Sequence, residues 1–413
     1  MQIAIIAIGD ELTSGRILNT TSNFAARQLF DAGYDIYGIN TIGDAPELIG
    51  EVLKRAITEV DAILVTGGLG STDDDMTNEA VSHALDLPTQ PNLEILSIVR
   101  NHFDKITDVS IGQLDKLGWL PEGAEALAPH SGMAGYQIVY DNTPIFFLPG
   151  IPSQMQKLLV QHVLPRLATW NNKEEVSTYQ RIFRIFNLPE TGVNRRINKL
   201  HFSDDVHIGY YPVFPEVHLT LLIRDTNPKT AKRLFDSSCR AITTALGDHI
   251  YAYGRDSMER VVGKLLLQKG MKLAVAESCT GGLISEKITD IPGSSEYFLG
   301  GIIVYANSLK ESLLDVSPDL IKEKGAVSRE VAENMAYSVL EKTKADISIA
   351  ITGYAGPTDG GADNPVGTVF VAISTPQGDW VNGFNFEGNR QEIRELAAQN
   401  ALDLLRRYLI QDI

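Results

Sequence analysis

The chain has 413 residues, which is too long for a single hydrophobic core and predicts two or three domains. Its 44% hydrophobic and 21% charged residues are typical of a globular protein and exclude wholesale disorder. The formal net charge of −16, from 36 basic and 52 acidic residues, disfavours a general nucleic-acid binder but does not exclude small phosphate-bearing ligands.

The cysteine content and the N-terminus bear on location. Only Cys239 and Cys279 are present, which disfavours a disulfide framework. No apolar run reaches the length of about 20 residues that a membrane helix needs. The opening MQIAIIAIG lacks a basic region and a cleavage site, so we interpret it as a buried strand. We expect a cytoplasmic protein without a membrane partner.

The first block, residues 1–169, has the pattern of an α/β domain. Apolar runs at 3–8, 62–65 and 145–148 alternate with helical patterns. Because these runs are continuous rather than alternating, they predict strands of a mostly parallel sheet covered on both faces. A helix after Pro152 closes the block, and residues 170–175 lose the apolar pattern and are interpreted as a linker.

The second block, residues 176–253, is predicted to be a small α+β module. Apolar residues alternate with polar ones over 216–223, which predicts a strand with one covered face. An amphipathic helix follows over 231–242. The block contains no cluster that suggests chemistry.

The third block, residues 256–413, is predicted to be a second α/β domain. Strands are expected at 272–276, 302–305, 347–351 and 369–373, with helices between them and at the C-terminus. One helix should begin near Gly281 and another should have Ser328 as its N-cap.

A glycine-rich turn with clustered acids lies between a strand and a helix at 66–79. Its glycines let a backbone approach a ligand closely, and the helix N-terminus offers free N–H groups to an anion. The acids Asp73, Asp74 and Asp75 would repel a bare phosphate. A divalent cation such as Mg²⁺ between them would remove this repulsion. Asp10, Glu11 and Asp44 follow other strands and are expected at the same sheet edge. The alternative is that the acids only cap the helix.

These motifs resemble the N-terminal domain of the CinA family, which is similar to molybdopterin-binding domains. The matching segments are GDELTSGRILNTTSNFAARQL (9–29), TGGLGSTDDDMTNEA (66–80) and FLPGIPSQM (147–155). The resemblance implies a three-layer, mostly parallel fold and an ADP-ribose pyrophosphatase that yields AMP and ribose 5-phosphate and depends on Mg²⁺ or a transition metal. The sequence departs from the family pattern at Ser71, where the family usually has Pro, and at HSGMAGYQI (130–138), which matches the corresponding family segment only weakly.

The same resemblance assigns site residues in this block. Asp44 and Asp75 match motifs that hold functional aspartates in the related domains, and with Asp74 they form the expected metal site. The residues expected at the ADP-ribose phosphates are Gly67, Gly68, Gly70 and Thr72. A pterin- or nucleotide-binding module without hydrolysis remains an alternative.

The third block contains a candidate nucleophile in Ala276-Glu-Ser-Cys-Thr-Gly-Gly282, where a strand runs into a tight turn and a helix. Ser278 and Cys279 are both candidates, and backbone N–H groups at the helix start are available to an oxyanion. The alternatives are that Ser278 caps the helix and that Cys279 is a small buried hydrophobe.

A serine here needs a base other than histidine, because the last histidine of the chain is His249. Lysine is the known alternative, provided that its pKa falls from about 10.4 toward about 7 to 8. Lys310 is the candidate, with Tyr305 orienting or relaying its proton. The alternative is that Lys310 is an ordinary surface lysine.

The third block also resembles the CinA family, in its C-terminal domain, over a long and ordered series of motifs. They are AESCTGG (276–282), PGSSEYFLGGIIVYANSLKESLL (292–314), GAVSREVAENMA (325–336) and ITGYAGPTDGG with NPVGTVFVAI (351–373). That domain is similar to nicotinamide mononucleotide deamidase, a Ser/Lys amidohydrolase that uses no cofactor. The resemblance makes Ser278 the nucleophile, Lys310 the base and Tyr305 its assistant.

By the same resemblance, oxyanion and substrate-binding roles fall on the nucleophile turn, on the end of a strand and on two arginines. These residues are Cys279, Thr280, Gly281, Thr352, Gly353, Arg390 and Arg394.

Together the resemblances imply an NAD-salvage protein of the pyridine nucleotide cycle that acts on nicotinamide mononucleotide and ADP-ribose. We expect a homodimer without direct nucleic-acid contact. Two alternatives stay open: a non-enzymatic competence or DNA-damage partner, and an amidase for another small amide.

Overall fold

The computed structural model of the chain describes residues 1–72, 74–93, 95–96, 116–128, 135–170, 177–358, 361 and 364–411. Asp73, the start of the 130–138 segment and most of the predicted linker lie outside these residues. The chain divides into two compact units, Met1–Glu175 and Val176–Ile413, so the second and third blocks of the sequence form one unit.

The first unit is a three-layer α/β structure around one mixed sheet. Its strands are β1 (Gln2–Ile8), β2 (Asp35–Ile42), β3 (Ala62–Thr66), β4 (Thr89–Pro91), β5 (Trp119–Pro121), β6 (Glu125–Ala126), β7 (Tyr136–Tyr140) and β8 (Thr143–Leu148). The sheet order is β2-β1-β3-β8-β7-β6, parallel from β2 to β8 and antiparallel beyond, while β4 and β5 pair separately.

Helices cover both faces of this sheet. They are α1 (Asp10–Thr13), α2 (Thr20–Asp31), α3 (Pro46–Glu59), α4 (Thr77–Leu85), α5 (Pro152–Leu158) and α6 (Leu164–Trp170), with a π-helical turn at Leu159–Val163. Alternate residues of β1 point to opposite layers: Ile3 and Ile5 pack with Leu29 of α2, and Ala4 and Ile6 pack with Leu53 of α3. The continuous apolar runs therefore mark strands buried on both faces, as predicted.

The second unit begins with an antiparallel sheet and two helices, the α+β module expected from the sequence. Its elements are β9 (Ser177–Ile185), α7 (Glu190–Ile197), β10 (Val206–Val213), β11 (Glu216–Asp225), α8 (Pro228–Leu246) and β12 (Ile250–Tyr253), with sheet order β10-β11-β9-β12. The alternating residues Val217, Leu219, Leu221 and Ile223 of β11 all point into its core.

The rest of the second unit is an α/β domain on a five-stranded sheet. Its strands are β13 (Leu273–Glu277), β14 (Phe298–Ile303), β15 (Ile347–Gly353), β16 (Thr368–Thr375) and β17 (Gly378–Asn385). Its helices are α9 (Met258–Lys269), α10 (Leu283–Thr289), α11 (Asn307–Leu314), α12 (Pro318–Lys324), α13 (Arg329–Thr343) and α14 (Arg390–Gln411). The sheet order is β14-β13-β15-β16-β17, parallel among the first three strands.

Two predicted boundaries differ from the structure. The strand predicted at 302–305 is β14, which begins at Phe298 and ends at Ile303; Gly300 and Gly301 interrupt its apolar residues, so the prediction recognised only its last residues. The helix predicted from Gly281 begins at Leu283, because Gly281 and Gly282 have φ of +60° and +97° and cannot belong to a right-handed helix.

Hydrogen bonds join the small module to helix α14. The sequence predicted a C-terminal helix but not this contact. Gln399 of α14 donates to Glu216 (2.8 Å), and Asn187 donates to Asp403 of α14 (3.3 Å). Arg406 donates to the carbonyl of Asp248 (3.3 Å). Among the described residues, no helix is long and apolar enough to cross a membrane.

Asp403 is a buried acid in this contact. We expect its removal to lower the free energy of unfolding substantially. Its side chain is 3% exposed and pairs with Arg406, 5% exposed, at 2.7 Å. Asp403→Ala leaves a buried guanidinium without its carboxylate, so we expect a loss of about 3 to 5 kcal/mol, measured by urea unfolding of the full chain. Glu341→Ala, which breaks the exposed Glu341–Lys344 pair, is the control and should cost about 0 to 1 kcal/mol. Equal losses in the two variants would contradict the prediction.

Candidate active sites

The candidate nucleophile lies on a tight turn between a fully buried strand and a helix. Strand β13 ends at Glu277, and α10 begins at Leu283. The intervening glycines turn the chain in a left-handed conformation, and a Cβ on Gly282 would come within 3.0 Å of Ile303. The small residues of this segment therefore let the turn fit against the neighbouring strand.

Ser278 and Lys310 lie together in the protein interior. Lys310 Nζ is 3.0 Å from Ser278 Oγ and donates to the carbonyl of Val304, also at 3.0 Å. Ser278 is buried and Lys310 is only 2% exposed, so Lys310 is not the surface lysine of the alternative interpretation. Helix α11 carries the lysine, and the Val304 amide is fixed in turn by the carbonyl of Glu277 (2.8 Å).

The electrostatics of the site favour a neutral lysine and a protonated thiol. Burial lowers the pKa of Lys310 from its ordinary value of 10.5, because the charged ammonium loses its hydration. Burial likewise raises the pKa of the Cys279 thiol to about 12. Burial therefore shifts the Lys310 pKa in the direction that a lysine base for a serine nucleophile needs, whereas a thiolate at Cys279 is disfavoured.

The amides of the buried turn differ in their hydrogen-bond acceptors. Ser278 donates its N–H to the carbonyl of Ile351 (3.0 Å), and Gly281 donates its N–H to the carbonyl of Ser278 (3.1 Å). In the part of the chain that the structure describes, the amides of Cys279 and Thr280 have no carbonyl or carboxylate acceptor and hydrogen-bond to the Cys279 sulfur. These two amides are the candidate donors of the turn to an oxyanion.

Glu277 is a functional candidate that sequence reasoning missed. Its buried carboxylate accepts hydrogen bonds from the amides of Gly282 (3.0 Å), Ile284 (3.1 Å) and Ser285 (2.8 Å) and from the Ser285 hydroxyl (2.7 Å). The helix N-terminus, which we expected to receive an oxyanion, is thus occupied by this carboxylate. An acid just before a helix was the available signal, since acids stabilise helix N-termini.

Tyr305 and the two arginines form a rim beside the nucleophile turn. Tyr305 is 59% exposed, and its hydroxyl accepts a hydrogen bond from Arg390 (2.8 Å), which also donates to the carbonyl of Gly356. Arg394 donates through Nε to the carbonyl of Thr280 (3.2 Å). Both arginines line a surface pocket of about 510 Å³. The proton-relay role of Tyr305 and the phosphate-binding role of the arginines stay predictions.

Two of the predicted pocket residues have structural contacts. The hydroxyl of Thr352, at the end of β15, donates to the carbonyl of Ala326 (2.8 Å). A Cβ on Gly353 would come within 2.7 Å of Val369 on the adjacent strand. These contacts explain the residue types, and a substrate contact at either position stays a prediction.

The glycine-rich turn of the first unit lines a cavity of about 530 Å³. Gly67, Gly68 and Gly70 all lie on its wall, at the carboxyl end of β3. Gly67 has φ of +101°, and a Cβ there would come within 2.1 Å of the carbonyl oxygen of Ile8. Thr72 donates its amide to Asp75 (3.0 Å) and so fixes an acid of the turn.

Four acids line the same cavity, three of them the predicted metal ligands. They are Glu11, Asp44, Asp74 and Asp75. The Asp10 and Asp44 side chains each accept the other's backbone amide, at 3.2 and 2.8 Å. Burial, together with the charges of Asp10, Glu11 and Asp74, raises the pKa of Asp44. The sequence thus predicted correctly that these loops converge at one sheet edge.

The acids do not form a complete protein cage for a metal. Among the described residues, no three His, Cys, Asp or Glu side chains are grouped closely enough to hold an ion. Mg²⁺ is commonly held by one or two carboxylates, with substrate phosphates and water completing its shell. The residues of the cavity fit that mode of binding.

Comparison with known families covers almost the whole chain. The family described as a probable molybdopterin binding domain matches residues 4–169, the damage-inducible protein CinA KH domain matches 180–252, and the CinA C-terminal domain matches 255–409. A CinA-like protein of Desulfotalea psychrophila is 70% identical over 413 residues, covering 100% of both chains. The chain belongs to the CinA family.

Two further relatives are less similar to this chain. A putative competence-damage inducible protein of Caldicellulosiruptor saccharolyticus is 36% identical, covering 99% of this chain and 100% of its own. The crystal structure of the competence/damage inducible protein CihA from Agrobacterium tumefaciens is 34% identical, with a TM-score of 0.36, over 37% of this chain and 96% of that one.

The lowered pKa of Lys310 predicts a pH-dependent stability. Between that lowered pKa and 10.5, the unfolded chain binds the lysine proton and the folded chain does not, so stability rises with pH. Relative to Lys310→Met, the wild type should gain unfolding free energy as pH rises through this window, measured by urea unfolding at a series of pH values. Ser278→Ala keeps the lysine and should follow the wild-type slope. Parallel curves for the wild type and Lys310→Met would refute the assignment.

Proposed function

We propose that the second unit is a Ser/Lys amidohydrolase that converts nicotinamide mononucleotide to nicotinate mononucleotide and ammonia. The observation that carries this proposal is the 3.0 Å contact between the buried Lys310 amine and the Ser278 hydroxyl. The acyl-transfer chemistry follows from that geometry, and the choice of substrate follows from the resemblance of the motifs to nicotinamide mononucleotide deamidase.

The first half of the reaction acylates the serine. Neutral Lys310 takes the Ser278 proton as Oγ attacks the carboxamide carbon. The amides of Cys279 and Thr280 donate to the developing oxyanion, and one such donor is typically worth about 3 to 4 kcal/mol. The lysine then gives its proton to the leaving nitrogen as the C–N bond breaks, which releases ammonia and leaves a nicotinoyl ester on Ser278.

The second half regenerates the enzyme. Lys310 takes a proton from water, and the hydroxide attacks the ester carbon. The C–O bond to Ser278 breaks, the lysine returns the proton to Oγ, and nicotinate mononucleotide leaves. Arg390 and Arg394, which line the adjacent pocket, are proposed to bind the substrate phosphate.

Ammonia release in the presence of EDTA is the first test of this proposal. The wild type should release ammonia from nicotinamide mononucleotide, whereas Ser278→Ala and Lys310→Ala should lose activity because they remove the nucleophile and the base. Cys279→Ala is the matched control on the adjacent residue and should remain active. Nicotinamide and glutamine serve as alternative substrates. Substantial activity in Lys310→Ala would disprove the Ser/Lys assignment, and total loss in Cys279→Ala would favour a thiol nucleophile.

For the first unit we propose a divalent-metal-dependent ADP-ribose pyrophosphatase that yields AMP and ribose 5-phosphate. Its support is the cavity that brings the glycine turn and four carboxylates together. One or two of the carboxylates of Asp44, Asp74 and Asp75, with phosphate oxygens and water, would hold the cation, which would neutralise charge on the diphosphate. The glycines and Thr72 would let the phosphates approach the backbone. Both proposed substrates derive from NAD, which makes a joint role in NAD salvage coherent. A homodimer in the cytoplasm stays a prediction.

AMP formation from ADP-ribose tests the first unit. Asp44→Asn removes a carboxylate charge from the cavity but keeps an oxygen for the Asp10 amide, so Mg²⁺-dependent AMP release should fall by about tenfold or more. The matched control is Asp61→Asn, since Asp61 also accepts one backbone amide, that of Gln2, but does not line the cavity. Ser278→Ala should not affect this activity. Binding of ADP-ribose without AMP formation would instead favour the non-hydrolytic module.

A further inference from the structure

The carboxylate of Glu277 is completely buried and makes four hydrogen bonds at the start of α10. Both of its oxygens are used: Oε2 accepts the amides of Gly282 and Ile284, and Oε1 accepts the amide and the hydroxyl of Ser285. A buried carboxylate is stable only when its oxygens are satisfied in this way. Its position is therefore fixed by the backbone of the helix that follows the nucleophile.

The backbone of the same residue positions the base. The Glu277 carbonyl accepts the amide of Val304 (2.8 Å), and the Val304 carbonyl accepts Lys310 Nζ (3.0 Å). Glu277 thus connects by hydrogen bonds to the lysine on one side and to the helix start on the other. Ser278 is its immediate neighbour along the chain.

Glu277 also determines which amides remain for a substrate. By taking the amides of Gly282, Ile284 and Ser285, it removes the helix N-terminus from the set of possible oxyanion donors. Its charge offsets the positive end of the helix dipole as well. In the described structure the amides of Cys279 and Thr280 are the ones without an oxygen acceptor; they hydrogen-bond to the Cys279 sulfur, on the turn that the carboxylate holds in place.

From these contacts we infer that Glu277 is a positioning residue for acyl transfer. It holds the turn so that the Cys279 and Thr280 amides and the Ser278 hydroxyl face one substrate carbonyl. The inference rests on the proposed Ser/Lys function but not on nicotinamide mononucleotide as the substrate. A carboxylate that only capped the helix would affect folding stability and leave the turnover of folded enzyme unchanged.

The decisive variant is Glu277→Gln, which keeps the size of the side chain but replaces one accepting oxygen with an NH₂ group that faces backbone donors. We expect kcat for nicotinamide mononucleotide to fall by about 100-fold, as for loss of an oxyanion donor, with KM changed by less than about threefold. The matched control is Ser285→Ala, which removes one of the four hydrogen bonds and keeps the carboxylate. It should change kcat by less than about threefold.

A second variant and a second readout separate positioning from folding. Glu277→Asp keeps the charge but withdraws the carboxylate by one methylene, and we expect a kcat between those of the wild type and Glu277→Gln. Thermal melts select the variants that are folded at the assay temperature. The rate at which a fluorophosphonate labels Ser278, followed by intact mass, reports the nucleophile and its oxyanion donors without any assumption about the natural substrate.

The outcomes are distinct. Folded Glu277→Gln or Glu277→Asp with wild-type kcat and wild-type labelling would overturn the inference. If the wild type releases no ammonia but is labelled at Ser278 faster than the Glu277 variants, the inference holds and the proposed substrate fails. If the wild type neither releases ammonia nor is labelled, the proposed function and the inference both fail.

Discussion

The burial of one lysine amine beside a serine hydroxyl is the constraint on which the second unit depends. An ammonium group at that position would lose its hydration, and the described part of the chain offers it Ser278 and the Val304 carbonyl as hydrogen-bond partners. The fold therefore lowers the proton affinity of Lys310, and the same lack of hydration keeps the neighbouring thiol protonated. The surrounding hydrogen bonds make this arrangement rigid. Glu277 fixes Val304 from one side, and Arg394 holds the carbonyl of Thr280 from the other.

The two candidate sites differ in their electrostatics. In the second unit, the Ser278 hydroxyl and the Lys310 amine are enclosed, and burial lowers the pKa of the amine. In the first unit, four carboxylates share a cavity, where their mutual repulsion raises the energy of the charged state unless a cation is near. Burial thus disfavours a charge at Lys310, whereas the acids around Asp44 concentrate negative charge in their cavity.

Local patterns in the sequence predicted much of the fold and part of each site. Continuous apolar runs identified the buried strands β1, β3, β8 and β13, because burial on both faces leaves no polar positions. Ser328 was predicted as a helix cap, and its hydroxyl accepts the amide of Val331 (3.3 Å). The pairing of Ser278 with Lys310 required the resemblance to the CinA family as well, since 32 residues separate the two.

Contacts between distant segments were beyond sequence reasoning. The hydrogen bond from Gln399 to Glu216 joins residues 183 positions apart, and nothing local in either segment indicates a partner. The middle block was therefore predicted only as a small α+β module without chemistry, whereas its side chains bind helix α14. Arg394 was expected to contact substrate, but a carbonyl 114 residues away already occupies part of its guanidinium. Edge strand β14 was predicted too late in the chain because Gly300 and Gly301 interrupt its apolar residues.

The state of Cys279 has a consequence for how the protein withstands oxidants. Peroxides and alkylating reagents attack thiolates, and a thiol with a pKa of about 12 is ionised to only about one part in 100,000 at neutral pH. The side chain is also buried, and the other cysteine, Cys239, is buried with a raised pKa. The sulfur atom adjacent to Ser278 is thereby a poor target for such reagents. Burial of the thiol thus protects the turn that carries Ser278 from chemical modification at the neighbouring residue.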